Sequence, residues 1–254
     1  MTDRKIIFLH FHIFKNAGST IDYILEKNFK SQHKYIEPSG SEFGVLQETI
    51  KCFLDKNKNV KSISSHSLRF PIIDFANYLF IEIISIRHPI DRIYSMFTYY
   101  QKINFLNVDK KIISDSFPDF VYKIFRWTPY NVINPQTNIL SNKANFFFPP
   151  SQYDLDKAIK IINKIKFLLT VDQFDKSLSV SQYFLQHTIG PFDIKYEIQN
   201  QSNQTNINLS DKLNKLKSLY PDEYALMEKF NSLDIELWKA ANQEINRRAS
   251  FVLN

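Results

Sequence analysis

Apolar positions along this chain follow two different periods, and the change from one to the other is sharpest near its start. Residues 6–13 are dense in β-branched and aromatic types, as a buried strand requires. Asn16, Ala17 and Gly18 interrupt them, and Ser19 and Thr20 open a segment in which Ile21, Ile24, Leu25 and Phe29 recur at helical spacing. Residues 30–43, with Pro38, Ser39 and Gly40, read as a loop, 43–54 as a helix, 55–59 as a break and 60–65 as a short strand ending at His66. A helix with proline in its first turn is expected over 71–79. Residues 79–87, LFIEIISIR, are almost continuously apolar, the pattern of a central parallel strand buried on both faces, and Pro89 opens a helix to about 103.

Further on, 109–125 reads as helix. Residues 127–150 form a long irregular segment rich in Asn and Pro, whose aromatics Trp127, Tyr130, Phe146, Phe147 and Phe148 argue for order. A helix over 153–165, a strand over 166–171 and a helix over 174–187 follow. The polar run 200–208 reads as a loop, and Ser210 caps a helical region, punctuated by Pro221, that runs to about 248. This alternation predicts an α/β fold with a P-loop-like three-layer arrangement, a central parallel sheet with helices on both faces, in one domain spanning 1–254. Ligands in such folds sit at the carboxyl ends of the strands, where Lys15, His66 and Arg87 all fall.

Composition narrows this only in part. The 254 residues are 44% apolar and 15% aromatic, enough to fill a core. The net charge of +6 favours an anionic ligand or surface, but no compact arginine and aromatic cluster or recognition helix accompanies it, so nucleic acid is not the expected partner. No apolar run approaches the ~18 residues of a membrane span, and MTDRK lacks the features of a signal peptide, so the expectation is a soluble, cytoplasmic chain without an integral membrane segment. The single cysteine, Cys52, excludes an intramolecular disulfide and reads as a buried small side chain; no ligand set for a metal is evident.

The candidate chemistry is anion binding. A strand passing into a helix through Lys15, Asn16, Ala17, Gly18, Ser19 and Thr20 aims first-turn amides, the positive end of the helix dipole, two hydroxyls and one ammonium at the turn. In residues 84–99, ISIRHPIDRIYSMFTY, Arg87 ends the central strand and Ser95 lies about two turns into the following helix, a second place for a phosphate. Walker A needs a glycine-rich loop with lysine directly before the hydroxyl residue, whereas here Lys15 precedes Asn-Ala-Gly. A nucleotide kinase or NTPase is therefore the weaker alternative, and a non-catalytic polyanion-binding protein leaves the two motifs unexplained.

HIFKNAGST resembles the His-Ile-Pro-Lys-Thr-Ala/Gly-Gly-Thr-Ser motif of the carbohydrate sulfotransferases that use 3'-phosphoadenosine 5'-phosphosulfate (PAPS), and IRHPIDRIYSMFTYY is similar to their Arg-Asp-Pro-x-x-Arg-x-x-Ser-x-Tyr motif. NPQTNIL, FLLTVDQFDKSL and DIELWKAA resemble later family segments. Phe14, Asn16, His88 and Asn138 depart from the pattern, standing where proline, threonine, aspartate and arginine are usual. The resemblance implies that Lys15, Ser19 and Thr20, with the turn from Asn16 to Gly18, hold the 5'-phosphosulfate, and Arg87 and Ser95 the 3'-phosphate. His66, in SSHSLRF, is similar to the catalytic base of the heparan-type 2-O-sulfotransferases, with His12 the substitute. The implied reaction moves a sulfuryl group to a hydroxyl of a carbohydrate or glycoconjugate without a metal. Arg92 reads as structural, paired with a helix carboxylate.

Overall fold

A computed structural model describes residues 4–38, 44–45, 47–70, 72, 75–102, 110–141, 148–196 and 208–252. The strands are β1 (Lys5–Phe11), β2 (His33–Tyr35), β3 (Ser62–Ser65), β4 (Tyr78–Ile86) and β5 (Phe167–Thr170). The helices are α1 (Gly18–Phe29), α2 (Gln47–Lys56), α3 (Pro89–Tyr100), α4 (Phe117–Trp127), α5 (Pro135–Ser141), α6 (Gln152–Ile162), α7 (Phe174–Ile189), α8 (Leu209–Leu219), α9 (Pro221–Phe230) and α10 (Ser232–Val252). They form two compact units, one of Met1–Ile86, Ile159–Asn200 and Ala240–Asn254, the other of Arg87–Ala158 and Gln201–Lys239.

The first unit holds a wholly parallel five-stranded sheet in the order β2-β3-β1-β4-β5. Strand alternation sends Phe8 to the face covered by α1 and α7, where it joins Ile21, Ile24, Leu25, Ile81, Ile83, Phe167, Leu169, Leu178 and Leu185 in one cluster. Each such side chain, fully withdrawn from water, contributes about 2 kcal/mol. Ile7, Leu9, Phe11 and Ile84 point the other way and are equally buried, with Phe11 stacked on Phe70 at 4.4 Å. On that face Thr170 donates to Asn242 of α10 at 2.9 Å, and Arg248 ties α10 to the carbonyl of Ile165 at 2.6 Å. The expected three-layer α/β architecture is therefore present. Chain connections leave β1 towards β3 and β4 towards β5, so the reversal of strand order lies between β1 and β4.

The second unit is helical. Pro89 starts α3, whose Phe97 packs on Phe117 and Phe120 of α4 at 5.4 Å each, and Phe117 meets Tyr220 at 5.0 Å. Asn208 caps α8 by accepting from the Asp211 amide at 2.8 Å. No helix among the described residues is long and apolar enough to cross a membrane.

Several local expectations are corrected. The loop expected over 30–43 contains β2, an edge strand of three residues, two of them exposed, too short and polar to show a period. The helix expected over 71–79 is absent from its described residues. Tyr78 and Leu79 start β4, and the Asn77 carbonyl accepts from Lys5 of β1, so hydrogen bonding to the sheet outweighs the proline signal. Ser114 and Ser116 break the helix expected over 109–125, the Ser116 hydroxyl accepting from the Asp119 amide at the start of α4. Residues 127–150 contain α5, anchored from its backbone as described below. The cap of α8 is Asn208, not Ser210, which lies inside the helix. Cys52 is exposed, because α2 buries Ile50 and Leu54 and a residue midway between them faces outward. Phe146, Phe147 and, apart from Asn208, the polar run 200–208 lie outside the described residues.

Candidate functional site

The turn between β1 and α1 stands at the carboxyl edge of the sheet, beside the reversal point. Ile13 N donates to Phe11 O and Asn16 N to Ile13 O, and Lys15 (φ 66°) and Ala17 (φ 61°) adopt the left-handed conformation. For non-glycine residues this conformation costs roughly 1–2 kcal/mol each, so the surrounding contacts must hold the turn. One such contact is Asn16, buried, whose Nδ2 donates to the Ser85 carbonyl of β4 at 2.7 Å and pins the turn to the neighbouring strand. The first helical bonds run from Thr20 and Ile21 to the Ala17 carbonyl, so the Gly18 and Ser19 amides precede them at the positive end of α1. Ser19 is exposed, Thr20 buried and Lys15 half-buried, with its Nζ 5.8 Å from the Phe14 ring.

Beneath the turn lies a network that sequence reading did not anticipate. Asp22, on the second turn of α1, is buried; its Oδ1 accepts from His10 Nδ1 at 2.7 Å and from the Ser64 hydroxyl at 2.6 Å, and its Oδ2 contacts His12 Nδ1 at 2.9 Å. The two-residue spacing of His10, near the end of β1, and His12, just past it, is the only part of this visible as a pattern. Burial pushes the Asp22 carboxyl up, but the histidine bonds outweigh it and hold it well below the ordinary carboxylate range. Burial pushes His10 down to about 4. Potential ligand atoms of His10, His12 and Asp22 lie within 4.8 Å of one another, but each contact has hydrogen-bond length, so the three are satisfied by one another.

His12 links this network to the turn and to the expected base. Its ring lies against Gly18, where an added Cβ would come within 2.1 Å of Cδ2, and its centroid is 4.1 Å from that of His66. His66, exposed at the end of β3, is bonded through Nδ1 to the His12 carbonyl at 2.8 Å. A carbonyl accepts only from N–H, so Nδ1 carries the proton and Nε2 the lone pair. Loss of water on the packed side of the ring, and then the neighbouring His12, lower the His66 pKa. Glu37 receives the His66 amide at 2.7 Å and the Ser67 hydroxyl at 2.8 Å, fixing the turn that carries the ring.

Arg87 and Ser95 belong to the second unit. Gln136 grips the Arg87 backbone from both sides, its Oε1 accepting from Arg87 N and its Nε2 donating to Arg87 O, each at 2.9 Å. Asp234, fully buried at the start of α10, in turn accepts from the backbone amides of Gln136 at 3.1 Å and Thr137 at 2.8 Å, and from the Thr137 hydroxyl at 2.8 Å. The NPQTNIL segment thus holds the arginine's main chain in place. The Arg87 guanidinium meets Asp91 at 2.6 Å, and Ser95 is half-buried one turn beyond. Arg92 is buried and donates to the Asn131 carbonyl at 2.8 Å, the Asp234 charge offsetting part of its desolvation, in keeping with a structural role. His88 packs edge-on against Trp238 at 4.8 Å, and burial pushes it down to about 4.

The fold and these residues define a three-layer α/β protein with a β1–α1 turn carrying Lys15 and a histidine of fixed tautomer at the sheet's carboxyl edge. No family model matches the chain. It is 26% identical over 244 residues to an uncharacterized protein of Archaeoglobus fulgidus, a match covering 92% of this chain and 95% of that protein.

Proposed function

We propose that this chain is a sulfotransferase that moves the sulfuryl group of PAPS to a hydroxyl of a carbohydrate or glycoconjugate. The observation that carries the reading is His66, exposed, its pKa lowered by burial, and donating Nδ1–H to the carbonyl of His12, the residue whose ring lies against Gly18 of the Lys15 turn. In this reading His66 Nε2 takes the acceptor's hydroxyl proton as the acceptor oxygen bonds to sulfur. The bond from sulfur to the bridging phosphate oxygen breaks in line, and the charge gathering on that oxygen is met by Lys15, the Gly18 and Ser19 amides and the Ser19 and Thr20 hydroxyls. The resemblance of the second motif assigns Arg87 and Ser95 to the 3'-phosphate.

The reading is tested by thermal shift with adenosine 3',5'-bisphosphate, ATP with magnesium, and heparin, followed by transfer from labelled PAPS to glycan acceptors. The bisphosphate is expected to raise the melting temperature. Lys15→Ala should abolish transfer, and His66→Ala should remove turnover while leaving bisphosphate binding intact. Stabilisation by ATP and magnesium alone would sink the proposal, and near-normal turnover in His66→Ala would remove the base assignment.

A further inference from the structure

Within the second unit the Asp91 carboxylate lies between two cations from different parts of the chain. Arg87 Nε meets Oδ2 at 2.6 Å, and Lys212 Nζ of α8 pairs with Oδ1. Both positive charges hold Asp91 down to about 2 despite the burial that opposes it. Asp91 and Ser95 share one face of α3, and Arg87, just before the helix, bonds to the first of them. Lys212 reaches this part of α3 from α8, its Nζ also 5.2 Å from the ring of Tyr94 and its side chain only 18% exposed. Its place on α8 runs against local preference. Asn208 is the cap and Leu209 the first helical residue, so Lys212 stands in the first turn, where the dipole disfavours a cation and favours an anion.

We propose that Lys212 completes the 3'-phosphate pocket and makes the site select a nucleotide phosphorylated on the ribose 3'-oxygen over one that is not; this rests on the sulfotransferase reading above. Arg87 supplies a planar fork, Ser95 a hydroxyl and Lys212 a point charge on the far side of Asp91, so a phosphate dianion placed there is met by α8 as well as by α3 and the residue before it. Asp91 keeps the two cations in position and apart before the ligand arrives.

The test is calorimetric titration of wild-type, Lys212→Met and Lys212→Gln proteins with adenosine 3',5'-bisphosphate and with adenosine 5'-monophosphate. Removing one charge-assisted contact should weaken the bisphosphate about 10-fold in either variant and leave the monophosphate unchanged. Lys212→Gln retains a donor for Asp91 and so serves if Lys212→Met does not fold. Undiminished bisphosphate binding in a folded variant, or an equal loss for both nucleotides, overturns the role of Lys212 and leaves the sulfotransferase reading standing. Wild-type protein that binds no bisphosphate overturns both.

Discussion

Asp22 accepts from His10 on one carboxylate oxygen and faces His12 across 2.9 Å on the other, so a single helix residue fixes one histidine of β1 and another just past its end. Ser64 of β3 bonds to the same carboxylate, which makes Asp22 the tie between α1 and two adjacent strands. Asp22→Asn puts an amide donor among groups that now donate to it, and leaves His10 or Ser64 buried without an acceptor. The expected loss is about 3 kcal/mol of unfolding free energy. Urea denaturation at pH 7 measures it, and a loss within error of zero would show that the carboxylate is dispensable to the fold.

The contact between Gly18 and His12 predicts a dependent pair. A methyl group at Gly18 collides with the imidazole at 2.1 Å, so Gly18→Ala forces the ring or the helix start to move, at a cost of about 1–3 kcal/mol. In a His12→Ala background the same substitution should cost much less, because the obstructing ring is gone. The double-mutant cycle reads the difference, and additive effects would place the strain elsewhere.

Acid sensitivity follows from His10 and His88. Both are pushed down to about 4 by burial, below the value of an unfolded histidine. Their contribution is complete above the unfolded value of about 6.5 and is lost as pH falls towards 4, because the unfolded chain takes up protons that the folded one refuses. Between pH 7 and 5 each should remove roughly 2 kcal/mol of stability. Replacing His88 by a neutral aromatic should flatten part of this slope, and an unchanged slope in chemical denaturation would discount that histidine.

Gln136 offers a prediction about Arg87 that leaves every charge in place. Gln136→Leu removes both bonds to the Arg87 backbone and one to Asp234, and is expected to destabilise the protein by about 2 kcal/mol. With Arg87 loosened, bisphosphate affinity should fall while that for 5'-monophosphate holds. Equal titration curves for Gln136→Leu and wild type would confine the clamp to a structural role.

Patterning alone located most of the fold. The near-continuous apolar run of β4 and the change of period at residues 13–18 placed both sides of the strand reversal, because burial on two faces and the entry into a helix each leave a local signature. Missed elements were short: β2 is held by its neighbour β3, and α5 by Asp234, far along the chain, while the helix expected over 71–79 gave way to hydrogen bonding with the sheet. The same division runs through the site. Lys15, Ser19 and Thr20 are legible as a turn, Arg87 as a strand end and Gln136 only as part of the NPQTNIL resemblance, whereas Asp22, Glu37 and Lys212 carry no local mark. An aspartate or lysine in a helix reads as solvated until its partner is known.

The sequence by itself determined the parallel α/β class and the strand, turn and helix that present Lys15, since hydrophobic period and turn residues act over a few positions. Only the tertiary structure decided what holds that turn and orients its histidines. Strand pairing brings Ser64 opposite His10, and packing of α1 on the sheet brings Asp22 to both histidines and Gly18 under the His12 ring. These contacts join residues distant in the chain, and their strength comes from the removal of water, which a linear pattern does not encode.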